Sequence, residues 1–171
     1  MNTALKIILA IILTSAILIA GCAGEVNQTP KIGEPAPDFQ FQSSAGQATS
    51  LSDLKGKPVL INFWQIRCLP CRVEMPYIQQ VYNEWQEKGL ILLAINIKES
   101  PSQIEQFMQS QELSLPVLLD SEGSIAERYG IRAIPATFLI DRDGIIQDIK
   151  FGPFQSKAEI ESSLDKIALT K

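Results

Sequence analysis

The chain has 171 residues, 46% of them apolar, which is enough for one domain with a real core plus short ends. Its net charge of −4, with no basic cluster, excludes nucleic acid as an expected partner. It contains no histidine, which excludes His-based acid–base catalysis, Cys–His nucleophile pairs and nearly all imidazole-ligated zinc or copper sites.

Residues 1–21 read as an export signal. Lys6 is the lone positive charge, and residues 7–20 are almost unbroken apolar, interrupted only by Thr14 and Ser15. That run falls short of the roughly 20 residues of a spanning helix and suits a signal-peptide core. It ends in Ile19-Ala20-Gly21-Cys22, which resembles the lipobox of bacterial lipoproteins. The resemblance implies cleavage before Cys22 and a lipid on its sulfur, so that the chain is anchored to the outer face of a membrane. An uncleaved signal anchor is the alternative, and it leaves the domain on the same side. Residues 22–36 mix Pro, Gly and polar residues with no apolar period and are expected to form a flexible tether, with the folded domain at 37–171.

Residues 39–42 (FQFQ) and 48–51 (ATSL) predict short strands around a Gly46 turn, and 58–64 (PVLINFW) a strand buried on both faces. Ile78, Val81, Tyr82 and Trp85 then recur at helical spacing, and Gly89 closes that helix. Residues 90–97 (LILLAINI) predict another buried strand, and Ile104, Phe107 and Met108 a second helix. A short extended piece at 115–120 precedes a short helix carrying Ile125, Ala126 and Tyr129. Residues 136–141 and 145–151 are strands joined by Arg-Asp-Gly, a hairpin signal, and Ile160, Leu164 and Ile167 stripe a closing helix. This is the order of an α/β, thioredoxin-like fold: a central mixed β-sheet flanked by helices, with an N-terminal β-hairpin extension. There is no internal repeat, second domain or oligomer signal, so a monomer is expected. The aromatic and Met positions are read as core.

Cys68 and Cys71 follow the 58–64 strand and open the next helix. A redox centre, half a metal site and two neighbouring buried thiols all fit such a pair. At i, i+3 on a first helical turn the two side chains share a face, within reach of a disulfide. The free N–H groups of a helix N-terminus favour an anion, so a thiol there loses its proton more easily. Cys68 is therefore expected to be the exposed attacking thiolate and Cys71 the resolving thiol. Pro70 needs no intrahelical donor at that position and fixes the turn.

The segment FWQIRCLPCRVEMP (63–76) resembles the active-site segment of the TlpA/ResA-like thiol–disulfide oxidoreductases, extracytoplasmic members of the thioredoxin superfamily. The similarity continues through 51–64, 94–100, 115–144 and the following Phe-Gly, covering the domain from about Pro37 onward. A lone C-x-x-C is moderately specific; joined to IPATFLID about 65 residues later it is strongly so. The resemblance implies a redox-active Cys68–Cys71 disulfide with no further cofactor, and a cis Pro135 packed beside it. It also implies that the Ile134 backbone is offered to an extended substrate segment. It implies reduction of disulfides in exported proteins, with apocytochrome c as one candidate, and re-reduction by a membrane thiol-electron carrier.

Two departures stand out. Asn62 occupies the place where many thioredoxins bury an aspartate, so the carboxylate's task is expected to pass to Glu99, which matches a glutamate near the cysteines of ResA-like proteins. Arg67 replaces the usual tryptophan before the first cysteine; its charge is expected to favour the Cys68 thiolate and to attract an acidic partner. Arg72 and Glu74 are expected to be solvated. A thiol peroxidase is a second enzyme reading, weakened by Gln65, where peroxiredoxins carry Thr or Ser. A Cu(I) carrier binding through two thiolates is a third reading, weakened by the missing histidine. A purely structural disulfide explains little, since closing so small a loop contributes little chain entropy.

Overall fold

The computed structural model describes residues 29–42 and 46–168. The expected export signal (1–21) and the lipidated Cys22 lie outside the described residues. In chain order the elements are β1 (Gln40–Gln42), β2 (Ala48–Ser50), β3 (Val59–Trp64), α1 (Leu69–Trp85), β4 (Ile91–Ile97) and α2 (Pro101–Ser110). Then come β5 (Val117–Asp120), α3 (Ser124–Arg128), β6 (Ala136–Ile140), β7 (Ile146–Phe151) and α4 (Lys157–Ala168). Every predicted strand and helix is present among them. α1 stops at Trp85 and passes through a tight 3-10 turn before Gly89, whose φ of 91° is the left-handed conformation that ends the run.

β1 and β2 pair as a separate antiparallel hairpin, while the main sheet has five strands in the order β5-β4-β3-β6-β7. β3, β4 and β5 are parallel, β6 runs antiparallel to β3, and β7 pairs antiparallel with β6 and so runs in the direction of β3; the sheet is mixed as expected. Central β3 is buried at every position, which accounts for its unbroken apolar run.

The two-residue period of β3 divides the core. Leu60 and Trp64 point to the side covered by α1, α2 and α4, meeting Met75, Ile78, Phe107, Ile160 and Leu164. Val59, Ile61 and Phe63 point to the other side, against α3 and the N-terminal hairpin. There Phe63, Tyr129 and Phe138 stack edge-on or tilted, with ring centroids 5.0–6.0 Å apart. Each such fully buried side chain contributes about 1.5–3 kcal/mol. Between β6 and β7, Asp141 accepts from the N–H groups of Asp143 and Ile145, and Gly144 turns the chain at φ 84°.

The expected tether needs correcting at its C-terminal end. Gly33 N–H donates to the Ile146 carbonyl, Ile146 N–H to Glu34 and Ala36 N–H to Gly144, each at 2.8–3.0 Å. Pro35 bridges Ile145, and the Tyr129 hydroxyl donates to the Pro37 carbonyl at 2.9 Å. The folded unit therefore begins by Gly33. This segment docks through its backbone, which side-chain periodicity does not report.

Candidate active site

α1 starts where β3 leaves the sheet, which brings its first turn above the carboxyl end of the central strand. Cys68 is the residue that caps the helix: its backbone is extended (φ −81°, ψ 100°), and Cys71 N–H donates to its Sγ at 3.1 Å. This is the place of a Ser or Asp cap, with sulfur as the acceptor. A thiolate there receives that N–H and the positive end of the helix. Pro70, at the second helical position, forfeits no donor. Cys68 and Cys71 are joined as a disulfide with their Cα atoms 5.2 Å apart. Cys68 is half-buried and Cys71 is fully buried, so one sulfur faces solvent and the other the core.

The Ile134–Pro135 bond is cis. The Ile134 carbonyl oxygen lies 3.7 Å from Cys68 Sγ, and Pro135 is held in place by Gly152 N–H, which donates to its carbonyl at 2.9 Å. Ile134 is half-buried beside the disulfide, at the mouth of β6. Its backbone and Cys68 therefore lie side by side as one continuous strip.

Glu99 lies at the rim and holds the loop that leads into Cys68. Its Oε2 accepts from Ile66 N–H at 2.9 Å and from Asn96 Nδ2 at 2.7 Å, and Gln65 Nε2 donates to the Ile97 carbonyl at 2.9 Å. Arg67 sits next to the disulfide and is exposed.

Glu74 is the second correction. Expected in solvent, it is 0% exposed. It sits one turn after Cys71 on the same helix face, beneath the disulfide, pointing at the sheet. Asn62 Nδ2 donates to its Oε1 at 2.8 Å and to Thr137 Oγ1 at 2.9 Å, and Phe154 N–H donates to its Oε2 at 2.9 Å. Asn62 and Thr137 are register partners on β3 and β6, so the network spans helix, sheet and the β7–α4 loop. Burial pushes the Glu74 carboxyl up to about 7, against the opposing pull of the Phe154 and Asn62 donors. A buried acid that titrates near neutrality can take or give a proton beside a resolving thiol. The signal for it was in the sequence: Cys71, Glu74, Ile78 and Val81 share one helical stripe that is otherwise apolar. Arg72 is exposed as expected, with its guanidinium 5.8 Å from the centre of the Phe107 ring.

Residues 32–149 match the AhpC/TSA family. The chain is 36% identical over 165 residues to the thiol-disulfide oxidoreductase ResA of Bacillus cereus, covering 95% of this chain and 94% of that one. It is 39% identical over 136 residues to the thioredoxin-like protein YneN of Bacillus subtilis, covering 78% of each. Among solved structures, StoA from Bacillus subtilis superposes with a TM-score of 0.64 at 29% identity, over 76% of this chain and 97% of that one. A thiol:disulfide interchange protein of the thioredoxin family from Chlorobium tepidum does so with a TM-score of 0.69 at 29% identity, over 81% and 98%. With a C-x-x-C disulfide capping the helix that follows its central strand, this chain belongs to the AhpC/TSA family, as a ResA-like thiol–disulfide oxidoreductase of the thioredoxin superfamily.

Proposed function

We propose that the protein works outside the cytoplasm, held to a membrane through a lipid on Cys22, and reduces disulfides in exported proteins. Apocytochrome c, before haem attachment, is a candidate substrate. The observation that carries the reductant reading is the pairing of a half-exposed capping sulfur, Cys68, with a buried carboxyl, Glu74, one turn beyond Cys71.

In the reduced enzyme the Cys68 thiolate, favoured by the Cys71 N–H, attacks one sulfur of the partner's disulfide. A mixed disulfide forms and the partner's other sulfur leaves as a thiolate. Cys71 gives its proton to the Glu74 carboxylate and attacks Cys68 Sγ. The Cys68–Cys71 disulfide closes and the partner's second thiolate is released. Two electrons pass to the partner, which takes up two protons, one of them returned from Glu74 by way of solvent. The strip at Ile134 and Pro135 aligns the partner's chain, and Glu99 fixes the loop before Cys68, so its role is positioning. A membrane thiol-electron carrier then returns two electrons to the Cys68–Cys71 pair.

Equilibration with glutathione buffers tests the direction. The reductant reading expects a potential more negative than about −200 mV, and a value near −120 mV would mark a disulfide donor instead. Radiolabelled lipid incorporated into wild-type protein and absent from Cys22→Ser tests the anchor.

A further inference from the structure

The electrostatics of the rim go beyond the reductant reading and rest on it. Four segments frame the disulfide: residues 65–73, 97–100, 131–135 and 151–155, tied together by the Gln65, Glu99, Ile134, Pro135 and Phe154 contacts. They carry four cations, Arg67, Arg72, Lys98 and Arg132, against one exposed or half-exposed carboxylate, Glu99, although the whole chain is −4. Glu99 is already engaged by Ile66 N–H and Asn96 Nδ2. Elsewhere, ion pairs among the described residues join Lys31, Lys150, Lys157 and Lys166 to nearby acids, and Arg128 donates to the Asp38 carbonyl. The exposed side chains of Arg67 and Arg132 make no ion pair or hydrogen bond among the described residues. An acidic protein thus presents two free guanidinium groups, Arg67 and Arg132, together on the segments that frame its disulfide.

The same surface gathers apolar side chains that the core does not cover. Leu69 is 69% and Val73 57% exposed, at i and i+4 on α1, so they lie side by side. Phe151 is 60% exposed on β7, paired in register with Ala136, the residue after cis-Pro135. Exposed apolar groups grouped around a reactive centre mark a contact surface, and surrounding guanidinium groups pair with carboxylates in a two-pronged geometry that a lysine does not match.

We propose that this rim selects disulfide-bearing polypeptide segments with Asp or Glu on either side of the reacting cysteine. The partner's apolar side chains rest on Leu69, Val73 and Phe151, and its carboxylates meet Arg67 and Arg132. The preference acts mainly on the rate of encounter and is screened by salt.

The test uses the reduced full chain and three disulfide-bonded peptides of equal length, flanked by Asp, Ala or Lys. Each rate is divided by the rate at which dithiothreitol reduces the same peptide, which removes intrinsic reactivity. At an ionic strength of roughly 20 mM the acidic peptide is expected to react about tenfold faster than the neutral one, and the basic peptide slower still. At about 0.5 M salt the acidic-to-neutral ratio should fall below about twofold. Arg67→Gln combined with Arg132→Gln should bring the ratio to about threefold or less at low salt. Arg142→Gln, on the β6–β7 turn, should leave the ratio as it is in wild type. Equal normalised rates for acidic and basic peptides at low salt overturn the proposal, as does a ratio untouched by the double variant. Failure to reduce the neutral peptide at all overturns the reductant reading beneath it.

Discussion

The two faces of the central sheet are built to different rules. On the face covered by α3 and the N-terminal hairpin, Phe39, Phe63, Tyr129 and Phe138 form an aromatic block whose buried hydroxyl, on Tyr129, is satisfied by the Pro37 carbonyl. On the face covered by α1, the apolar packing of Trp64, Met75 and Ile78 is interrupted under the disulfide by Asn62, Thr137 and Glu74. Burying a carboxyl costs free energy unless its oxygens are met. Both oxygens of Glu74 are met, yet its affinity for a proton is still raised. The difference teaches where the molecule tolerates instability. One face is a dry, mainly apolar scaffold whose buried acid, Asp120, only caps α3 through the Ile125 and Ala126 N–H groups, and the other keeps a costly acid where the chemistry can use it.

Breaking the reactive end of the second face has the largest effect. Cys71→Ser is expected to abolish turnover and to accumulate a one-to-one mixed disulfide through Cys68, visible on a non-reducing gel; sustained turnover by this variant would contradict the assignment of roles. Next comes the dry face. Phe138→Ala removes a fully buried ring that touches both Phe63 and Tyr129 and should cost about 3–5 kcal/mol in urea unfolding.

Glu74→Gln sharpens the contrast through pH. The folded carboxyl titrates at about 7 and the unfolded one near 4.5, so the folded state holds a proton that the unfolded state releases across that window. Stability therefore falls as pH rises from about 4.5 to about 7 and is level above it. The variant lacks this term, so its stability relative to wild type should improve by on the order of 2 kcal/mol between pH 4.5 and 7.5, while turnover drops. A constant difference across that range would mean that the acid does not titrate there. Tyr129→Phe is the mildest: it deletes the hydroxyl that meets the Pro37 carbonyl and should cost about 1 kcal/mol in urea unfolding, without changing that pH profile.

The dry face was largely legible in the sequence. Unbroken apolar runs at 58–64 and 90–97 read as buried strands, and Arg-Asp-Gly at 142–144 as a hairpin, because burial on both faces and a left-handed glycine leave local signatures. Cys68 and Cys71 were legible through their spacing and their place at a helix start. The polar floor was legible only in part. Glu74 shares its turn with Arg72, and charge invited a reading in solvent, whereas the helical stripe through Cys71 and Ile78 put it inside. Glu99 reads in the sequence as the carboxylate beside the thiols; its Oε2 accepts from Ile66 N–H and Asn96 Nδ2 and so braces the loop that leads into Cys68. That stripe turns Glu74 inward, but its meeting with Asn62 on β3 beneath the disulfide depends on how α1 packs across β3 and β6, which no local pattern reports. The docking of residues 33–36 on the β6–β7 turn is hidden for the same reason, since backbone pairing imposes no side-chain period.

The central claim is that Cys68, capping α1, is the sulfur that meets the partner. Timed alkylation of the fully reduced protein at pH 7, with peptide mapping to separate the cysteines, tests it directly. Cys68 should be modified at least about tenfold faster than Cys71, because it is the half-exposed acceptor of a helix N–H while Cys71 is buried. Equal rates, or Cys71 reacting first, would contradict the account.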